Sequence, residues 1–476
     1  MTGLVAIVDA GFRELLLFAA AGVLLGGIDD LAVDAIYWGR VGWRRVSGLV
    51  GGRAHALPLL GDLPPVADDS RFAVFVPAWD EAGVIAPMLR LALARLDHPG
   101  CTLYVGCYPN DLATIDAVRT VARDSPRVRP VIGDRNGPTT KADCLNTLWR
   151  ALERDDPAAD TRAVILHDAE DVVHAGELAI FDALIGRHDV IQLPVLPLID
   201  PQRPLVSGVV ADEFAESHAK VLVVRELVGA GLPLAGVGCA IAASMLRRLA
   251  GTTGTPFDAD SLCEDYEIGL RATALGGSAC FARVAESPGG PVVAIREYFP
   301  ATLPAAVRQK ARWMTGIALA GWDRTGWARP LAIGDHWMRA RDRRAPLAML
   351  VLCACYLALI AWGLSEGSHR VTGVPVPPLP GWTVLLLRVN GALLVWRMAM
   401  RALFTGRAYG AREAWRSVPR LLVGNLIALL AARRALWCYG KLLAGGAPCW
   451  DKTKHAFPAE FGGAGTITLE GAGQPA

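Results

Sequence analysis

One uninterrupted apolar segment limits what this chain can fold into more than any other feature. Residues 345–364 run for 20 positions without a charged side chain, which is long enough for a helix to cross about 30 Å of hydrocarbon. The full chain of 476 residues is 53% hydrophobic and 20% charged. That balance is too apolar for a soluble enzyme and too charged for a protein that lies wholly in a membrane. The sequence therefore predicts a membrane protein with a substantial soluble part.

Three other apolar stretches flank the soluble part. Residues 15–28, extended by 4–10, have no basic region before them and no cleavage-site pattern after them, so we predict an uncleaved anchor. Residues 382–400 predict a further span. Residues 421–432 are apolar for only 12 positions and lie between arginines, which favours a helix at the membrane surface. We therefore expect three spans and one interfacial helix.

The distribution of arginine predicts the orientation of these spans. Arginines cluster after the first span, before the second and after the third, whereas the loop 365–380 carries one acidic and one arginine side chain. By the positive-inside rule, the N-terminus lies outside, and both the large central region and the C-terminus lie in the cytoplasm.

Charge and cysteine content argue against several classes of function. The net charge of +2 provides no general basic surface for nucleic acid. Ten cysteines occur without a CxxC pair, so neither a disulfide framework nor a zinc site is expected.

The central region alternates short apolar runs with helical stretches. We predict strands at 72–76, 103–107, 128–132, 163–167 and 189–193, and crossover helices at 83–96, 112–123 and 141–154. This pattern is typical of an α/β domain with a largely parallel sheet. Ligands of such sheets bind beyond the carboxyl ends of the strands.

Polar residues follow the first two predicted strands. Asp80 and Glu81 come shortly after Pro77, and Asn110 and Asp111 follow the second strand. Such side chains can accept hydrogen bonds from a nucleobase or a ribose. The alternative is that they only cap turns and helices. We predict that all five contribute to a donor site.

Three carboxylates within four positions follow the fourth strand. Asp168, Glu170 and Asp171 repel one another unless a cation or hydrogen-bond donors compensate. Mg²⁺ and Mn²⁺ prefer such hard oxygen ligands, so we predict a divalent metal that also binds a diphosphate. A solvated acidic turn is the alternative. Lys141, which opens a helix without the spacing of a P-loop, is a candidate contact for the phosphate.

Two later motifs complete the candidate site. Asp265 is a candidate general base, assisted by Glu264, although acidic residues are also common in the first turn of a helix. Gln309, Arg312 and Trp313 share one face of a helix. The arginine can neutralise a diphosphate and the tryptophan can stack on an acceptor sugar. An anchor on the membrane surface is the alternative for this helix.

The order of these motifs resembles that of family 2 glycosyltransferases of the membrane synthase type over residues 70–320. The resemblance implies a GT-A fold, a UDP-sugar donor, a divalent metal and inversion at the anomeric carbon. The chain departs from the common pattern at Glu170, where aspartate is usual, and at Cys263, where threonine is usual.

Longer stretches resemble the bacteriophage adsorption protein B group of bacterial inner-membrane glycosyltransferases. These stretches are Ile28-Asp29-Asp30-Leu31, Tyr108-Pro109-Asn110-Asp111, His167-Asp168-Ala169-Glu170-Asp171, Ala211-Asp212-Glu213-Phe214 and Trp450-Asp451-Lys452-Thr453-Lys454-His455. We expect an anchor and linker (1–69), a catalytic domain (70–300), a helix with the Q-x-x-R-W motif (301–344), two spans (345–400), an interfacial helix with a gating loop (401–461) and a disordered tail (462–476).

The expected activity is transfer from a UDP-sugar, preferably a UDP-N-acetylhexosamine, to an exopolysaccharide at the cytoplasmic face of the bacterial inner membrane. Transfer of one sugar to a polyprenyl phosphate and an inactive scaffold for phage entry are the alternatives. Three spans offer little wall for a polymer, so secretion partners or further copies of the chain would supplement them. Residues 450–455 are expected to cover the nucleotide, with Lys452 on the diphosphate; a basic lipid anchor is the alternative.

Overall fold

A seven-stranded mixed sheet forms the centre of the soluble part. The computed structural model describes residues 2–51, 57–446 and 456–461. The strands are β1 (Phe72–Pro77), β2 (Cys101–Cys107), β3 (Val128–Ile132), β4 (Ala163–Leu166), β5 (Val190–Gln192), β6 (Cys239–Ala242) and β7 (Ala279–Phe281), in the order β3-β2-β1-β4-β6-β5-β7. All neighbours pair in parallel except β6, which is antiparallel to β4 and β5. The predicted α/β sheet is confirmed, with β6 and β7 as additions.

Eleven helices among the described residues belong to the soluble part and pack around the sheet. They are α2 (Ile85–Arg95), α3 (Leu112–Asp124), α4 (Lys141–Asp155), α5 (Glu177–Ile185), α6 (Pro204–Glu216), α7 (Leu222–Leu227), α8 (Ala243–Ala250), α9 (Glu264–Ala274), α10 (Leu303–Trp313), α11 (Ala320–Thr325) and α12 (Ile333–Arg343). Two π-helical turns, Ser217–Val221 and Met314–Leu319, interrupt the helical runs after α6 and α10. Such turns are frequent at functional sites.

Four helices among the described residues are long and apolar enough to cross a membrane. They are α1 (Thr2–Gly51), α13 (Ala345–Thr372), α14 (Gly381–Tyr409) and α15 (Ala411–Leu443). The helix predicted at 421–432 is longer than expected, because α15 continues through the flanking arginines and has 33 residues in all. The anchor is also longer than predicted, since α1 continues for 50 residues.

Ion pairs explain why charged residues do not interrupt α1 where the soluble part meets the membrane helices. Asp29 contacts Arg341 and Arg344 of the α12–α13 junction, and Asp34 contacts Lys220 of the first π-helical turn. The cations that neutralise these two acids lie on other elements, so the sequence of α1 alone does not predict the ion pairs. These contacts attach the first membrane helix to the soluble domain.

Candidate active site

A cavity of about 450 Å³ lies beyond the carboxyl ends of β1 and β4, between the sheet, α9 and α10. It brings together residues from the segment after β1, the start of α4, the acids after β4, the acids of α9 and the Q-x-x-R-W motif. The predicted residues on its wall are Pro77, Glu81, Lys141, Asp168, Glu170, Glu264, Asp265, Gln309, Arg312 and Trp313.

Three predicted donor residues do not line the cavity. Asp111 accepts a hydrogen bond from the backbone N–H of Asp80 (2.6 Å) and caps α3 through Thr114 (3.2 Å). Asn110 exchanges two hydrogen bonds of 2.8 Å with the backbone of Gly137. Asp80, Asn110 and Asp111 therefore hold the loops after β1 and before α4, and the capping alternative describes their contacts. Lys452 and the rest of the predicted lid lie outside the described residues.

Asp171 is turned away from the cavity. Its carboxylate is fully buried and lies 2.7 Å from Nδ1 of His167, whose Nε2 is 2.9 Å from Glu177. Burial opposes protonation of His167, but Glu177 and Asp171 outweigh it and raise its pKa to about 10. Asp171 does not line the cavity, and its Oδ2 contacts His167 while its buried Oδ1 has no hydrogen-bond partner among the described residues. This arrangement of the side chain does not form the predicted metal contact with Asp168 and Glu170.

The described residues contain no group of three or more His, Cys, Asp or Glu side chains arranged to hold a metal ion. The predicted cluster of three carboxylates is thus reduced to Asp168 and Glu170, both on the cavity wall. Proteins bind Mg²⁺ through one or two carboxylates together with substrate phosphates. The hard oxygens of Asp168 and Glu170 fit a divalent metal of this shared kind.

Lys141 lies between the two acidic groups of the cavity. Its Nζ is 2.5 Å from Oδ1 of Asp168 and 3.9 Å from Oε1 of Glu264. Burial opposes the charge of Lys141, but Asp168, Glu264 and Asp265 outweigh it and raise its pKa. Lys141 is therefore a buried cation that lies beside the carboxylates of the cavity.

Glu264 and Asp265 form the first turn of α9 and face the cavity. Burial raises the pKa of both carboxyl groups. The backbone at Gly236 has a φ of +80°, and a β-carbon there would lie only 2.7 Å from Oδ2 of Asp265. Glycine therefore allows the backbone to approach the acid closely. A carboxylate of raised pKa in such a cavity is suited to accept a proton.

The Q-x-x-R-W residues lie at the end of α10, opposite the acids. Trp313 packs against Phe299 and Phe214, with ring centroids 5.9 and 6.1 Å apart. Among the described residues, Nε of Arg312 is buried without a hydrogen-bond partner. A buried donor of this kind is costly unless a ligand satisfies it. Arg312 therefore presents an unused donor to the cavity.

The unusual Cys263 has a packing explanation. It is buried beside the second π-helical turn, where a β-carbon on Gly316 would lie 2.6 Å from its Sγ. Burial raises the pKa of its thiol well above the ordinary value, which leaves it a neutral apolar group. We therefore assign Cys263 to packing between α9 and the turn after α10.

The inner wall of the cavity contains residues that no sequence pattern predicts. Arg225 donates two hydrogen bonds, of 2.9 and 2.8 Å, to Asp342, which also accepts one from the hydroxyl of Tyr266 (2.8 Å). His218 lies in the first π-helical turn, and burial lowers its pKa to about 4. These four residues come from α7, α12, α9 and a π-helical turn, so no local pattern links them. Trp79 also lines the cavity. It lies two residues after the end of β1, so its position next to Asp80 and Glu81 could have predicted it from the sequence.

Comparison with known proteins identifies the family. A family model described as Glycosyltransferase like family 2 matches residues 70–316, which is more than half of the chain. The chain belongs to this family. The matched region contains the mixed α/β sheet, and helices long and apolar enough to cross a membrane flank it on both sides among the described residues.

Two curated relatives are similar over most of the chain. Bacteriophage adsorption protein B of Escherichia coli K12 and bacteriophage N4 adsorption protein B of Escherichia coli O157:H7 are each 35% identical over 480 positions. The matched region is 95% of this chain and 63% of each relative. The chain thus spans less than two thirds of the length of these relatives.

Solved structures with a similar fold are more distant. A mannosyltransferase from Pyrobaculum calidifontis, solved with GDP-Man and Mn²⁺, is 18% identical, with 90% of this chain and 99% of that chain covered and a TM-score of 0.48. Glucosyl-3-phosphoglycerate synthase from Mycobacterium tuberculosis, solved with Mn²⁺, UDP and phosphoglyceric acid, is 17% identical, with 58% and 86% covered and a TM-score of 0.36.

Proposed function

We propose that this family 2 member is an inverting enzyme that transfers a sugar from a UDP-sugar to a growing exopolysaccharide at the cytoplasmic face of the inner membrane. One observation carries the proposal: a single cavity contains the acids after β4, the acids of α9 and the Q-x-x-R-W residues. Donor, base and acceptor groups thus have a common space. We prefer a UDP-N-acetylhexosamine as the donor, on the resemblance described above.

The donor half of the cavity is assigned to the side nearest β1 and β4. Trp79, Pro77 and Glu81 are the candidate contacts for the nucleoside, and Asp168 and Glu170 would hold Mg²⁺ or Mn²⁺ with the diphosphate. When bound, the metal would neutralise charge on the leaving diphosphate. Lys141, already paired with Asp168 at 2.5 Å, would exchange part of that contact for a phosphate oxygen.

The acceptor half is assigned to the side nearest α9 and α10. Trp313 would stack on the acceptor sugar, Gln309 would bind one of its hydroxyls and Arg312 would donate to the diphosphate or the acceptor. Asp265 would take the proton from the attacking hydroxyl while the bond from the anomeric carbon to the diphosphate breaks on the opposite face. Glu264, buried beside Lys141, would orient the acceptor.

A second cavity, of about 880 Å³, lies between α1, α13 and α14, with Asn425 of α15 on its wall, and it supports transfer to a polymer that leaves through the membrane. On one part of its wall, the side-chain amide of Asn425 donates a hydrogen bond to the hydroxyl of Tyr356 (3.2 Å). On another part, the hydroxyl of Ser365 donates one to the carboxylate of Asp9 (2.5 Å). Tyr356 and Ser365 lie nine residues apart on α13, about 13 Å along a helix. Polar groups spaced in this way along an apolar cavity provide hydrogen bonds for sugar hydroxyls.

Product analysis tests the proposed function. Membranes that contain the chain are incubated with labelled UDP-N-acetylhexosamines, UDP-hexoses and GDP-mannose, and the products are separated into polymer, lipid extract and free sugar. We expect labelled polymer from a UDP-sugar and none from membranes that carry Asp265→Asn. A product confined to the lipid extract would instead establish transfer of one sugar to a lipid. Transfer from GDP-mannose alone would contradict the assigned donor.

We also propose that α15 lies between the soluble domain and the cytoplasmic face of the membrane, although its length and composition would allow it to span. Arg420 donates to Asp212 of α6 (2.9 Å), and the hydroxyl of Tyr439 donates to Asp323 of α11 (3.0 Å). These anchors are 19 residues apart, about 28 Å of helix. A helix held at both ends by one soluble domain does not cross the bilayer.

The side of α15 away from the domain supports this placement. Its exposed apolar residues recur at helical spacing, with Trp415 (80% exposed), Leu422 (67%) and Trp437 (68%) among them. Tryptophan at both ends of an apolar stripe is typical of a helix in the membrane interface.

Cysteine labelling tests the predicted topology. We expect an impermeant thiol reagent to label Val374→Cys in spheroplasts and Gly445→Cys only in inverted membrane vesicles, with the unsubstituted chain as the background control. Labelling of Gly445→Cys in spheroplasts would show that α15 crosses the membrane.

A further inference from the structure

Two groups of basic side chains lie along the half of α1 that contacts the soluble domain. In the first group, every cation has an acid: Arg341 and Arg344 pair with Asp29, and Lys220 pairs with Asp34. This pairing is the usual state of cations that are partly buried between packed helices.

The second group, here named the juxtamembrane arginine cluster, differs in this respect. It consists of Arg40 and Arg44 of α1, Arg283 just after β7, and Arg407 near the end of α14. Within the described part of the chain, none of these four guanidinium groups forms an ion pair, whereas Asp29 and Asp34, earlier on α1, each form one.

The four arginines act on one another as like charges. Burial lowers the pKa of Arg283, a contact with the hydroxyl of Tyr37 opposes this, and the charges of Arg44 and Arg407 lower the pKa further. Glu226 attracts Arg44, but it lies beyond ion-pair distance and accepts a hydrogen bond from the backbone N–H of Phe281 (3.3 Å). The cluster thus carries an excess of positive charge that the described residues do not neutralise.

Unsatisfied donors lie in the same place. The Nε atoms of Arg40 and Arg283 and the indole N–H of Trp38 are buried without a hydrogen-bond partner among the described residues. Arg407 lies over the ring of Trp38, 5.7 Å from its centroid. Crowded like charges and orphaned donors each cost stability unless a ligand compensates.

We infer that the juxtamembrane arginine cluster binds a phosphate group that bridges the soluble domain to α1 and α14. A phosphate has several anionic oxygens, which match the fork of guanidinium donors better than a single carboxylate does. The group is the headgroup of an anionic lipid or a free phosphate compound, because both carry the same chemistry.

The cluster is also connected to the catalytic cavity. Arg283 donates a hydrogen bond to the carbonyl of Ala219 (3.3 Å), in the first π-helical turn. Ser217, His218 and Val221 of that turn line the cavity. A phosphate on Arg283 would therefore stabilise the turn that forms the inner wall of the catalytic site.

Thermal unfolding of the full chain tests this inference. The chain is placed in nanodiscs of phosphatidylcholine alone, of phosphatidylcholine with phosphatidylglycerol, or of phosphatidylcholine with pyrophosphate in solution at constant ionic strength. Ligand that binds only the folded state raises the unfolding midpoint, and the dependence on concentration gives the affinity. The variant Arg283→Ala/Arg407→Ala is compared with Arg45→Ala/Arg412→Ala, which removes equal charge from exposed arginines.

We expect one of the two phosphate sources to raise the midpoint of the wild-type and control chains. Affinity should fall about tenfold for each cluster arginine removed, the usual effect of one lost charge-assisted hydrogen bond. A response to phosphatidylglycerol alone identifies a lipid headgroup, and a response to pyrophosphate alone identifies a free anion. The inference is overturned if neither source stabilises the wild type, or if both double variants lose the response equally. A cooperative transition in phosphatidylcholine, for every variant, verifies that each one folds.

Discussion

Asp168→Ala should weaken binding of a UDP-sugar about tenfold to hundredfold in the presence of Mn²⁺, the range expected when a charged ligand loses one ionic contact. Asp168 and Glu170 are the acids after β4 that line the cavity. Removal of Asp168 would leave Glu170 alone to share a metal with the diphosphate. Calorimetric titration of the purified chain with a non-hydrolysable UDP-sugar provides the affinity.

Removal of the metal from the unsubstituted chain with EDTA is the experiment to compare with Asp168→Ala. If Asp168 acts through the metal, EDTA should weaken donor binding of the wild type by a similar factor and have little further effect on Asp168→Ala. Two changes that remove the same interaction are not additive. Asp116→Asn, an exposed acid of α3, is the control and should respond to EDTA as the wild type does.

Two other results bear on the metal assignment. Donor binding that survives both EDTA and Asp168→Ala would show that neither the metal nor this carboxylate contributes. Loss of binding in Asp168→Ala without any effect of EDTA would show that Asp168 acts by holding Lys141, which is only 2.5 Å away, and not by holding a metal.

Much of the catalytic fold follows from local sequence patterns. The predicted helix at 112–123 is observed as Leu112–Asp124, and that at 141–154 as Lys141–Asp155. Their apolar residues recur at helical spacing and their first turns have side-chain caps, Asp111 and Thr140. Such signals act within one element, so one sequence suffices to find them.

Features that depend on other elements were missed. The strand β6 is four residues long and made of cysteine, alanine and isoleucine, and its antiparallel position between β4 and β5 follows only from tertiary pairing. The length of α1 was underestimated because Asp29 and Asp30 read as an interruption. Their partners, Arg341 and Arg344, are about 300 residues away in the chain.

The same distinction applies to the site. A motif indicates that acids occur together but not where each one points, so Asp168 faces the cavity while Asp171 binds the buried His167. The Arg225–Asp342 pair joins α7 to the helix before α13. Neither residue belongs to a recognisable pattern, so only the folded chain reveals this wall.

The second large effect concerns the proton transfer. Asp265→Asn should lower turnover by about 10² to 10⁴, the usual cost of losing a general base, while UDP-sugar affinity stays near that of the wild type. Asparagine keeps the shape of the side chain next to Gly236 but does not accept the proton. Glu264→Gln should have a smaller effect, because Glu264 is assigned to orientation. Asp260→Asn, in the exposed loop before α9, controls for the change of charge.

The pH profile of the wild type has a sign fixed by the same assignment. The base works only when ionised, and burial raises the pKa of Asp265 above the ordinary value of 3.8. Activity is therefore present above the raised pKa and is lost as the pH falls through it. This loss occurs at a higher pH than it would for an exposed aspartate. Asp265→Asn should remove this acidic limb together with the turnover.

One comparison tests most directly whether this cavity performs glycosyl transfer with Asp265 as its base. The release of UDP from a UDP-sugar is measured with acceptor present, for the wild type and Asp265→Asn, at donor concentrations matched to the affinity of each. The predicted result is rapid release by the wild type and almost none by the variant, with equal donor binding. Near-normal release by Asp265→Asn would contradict it.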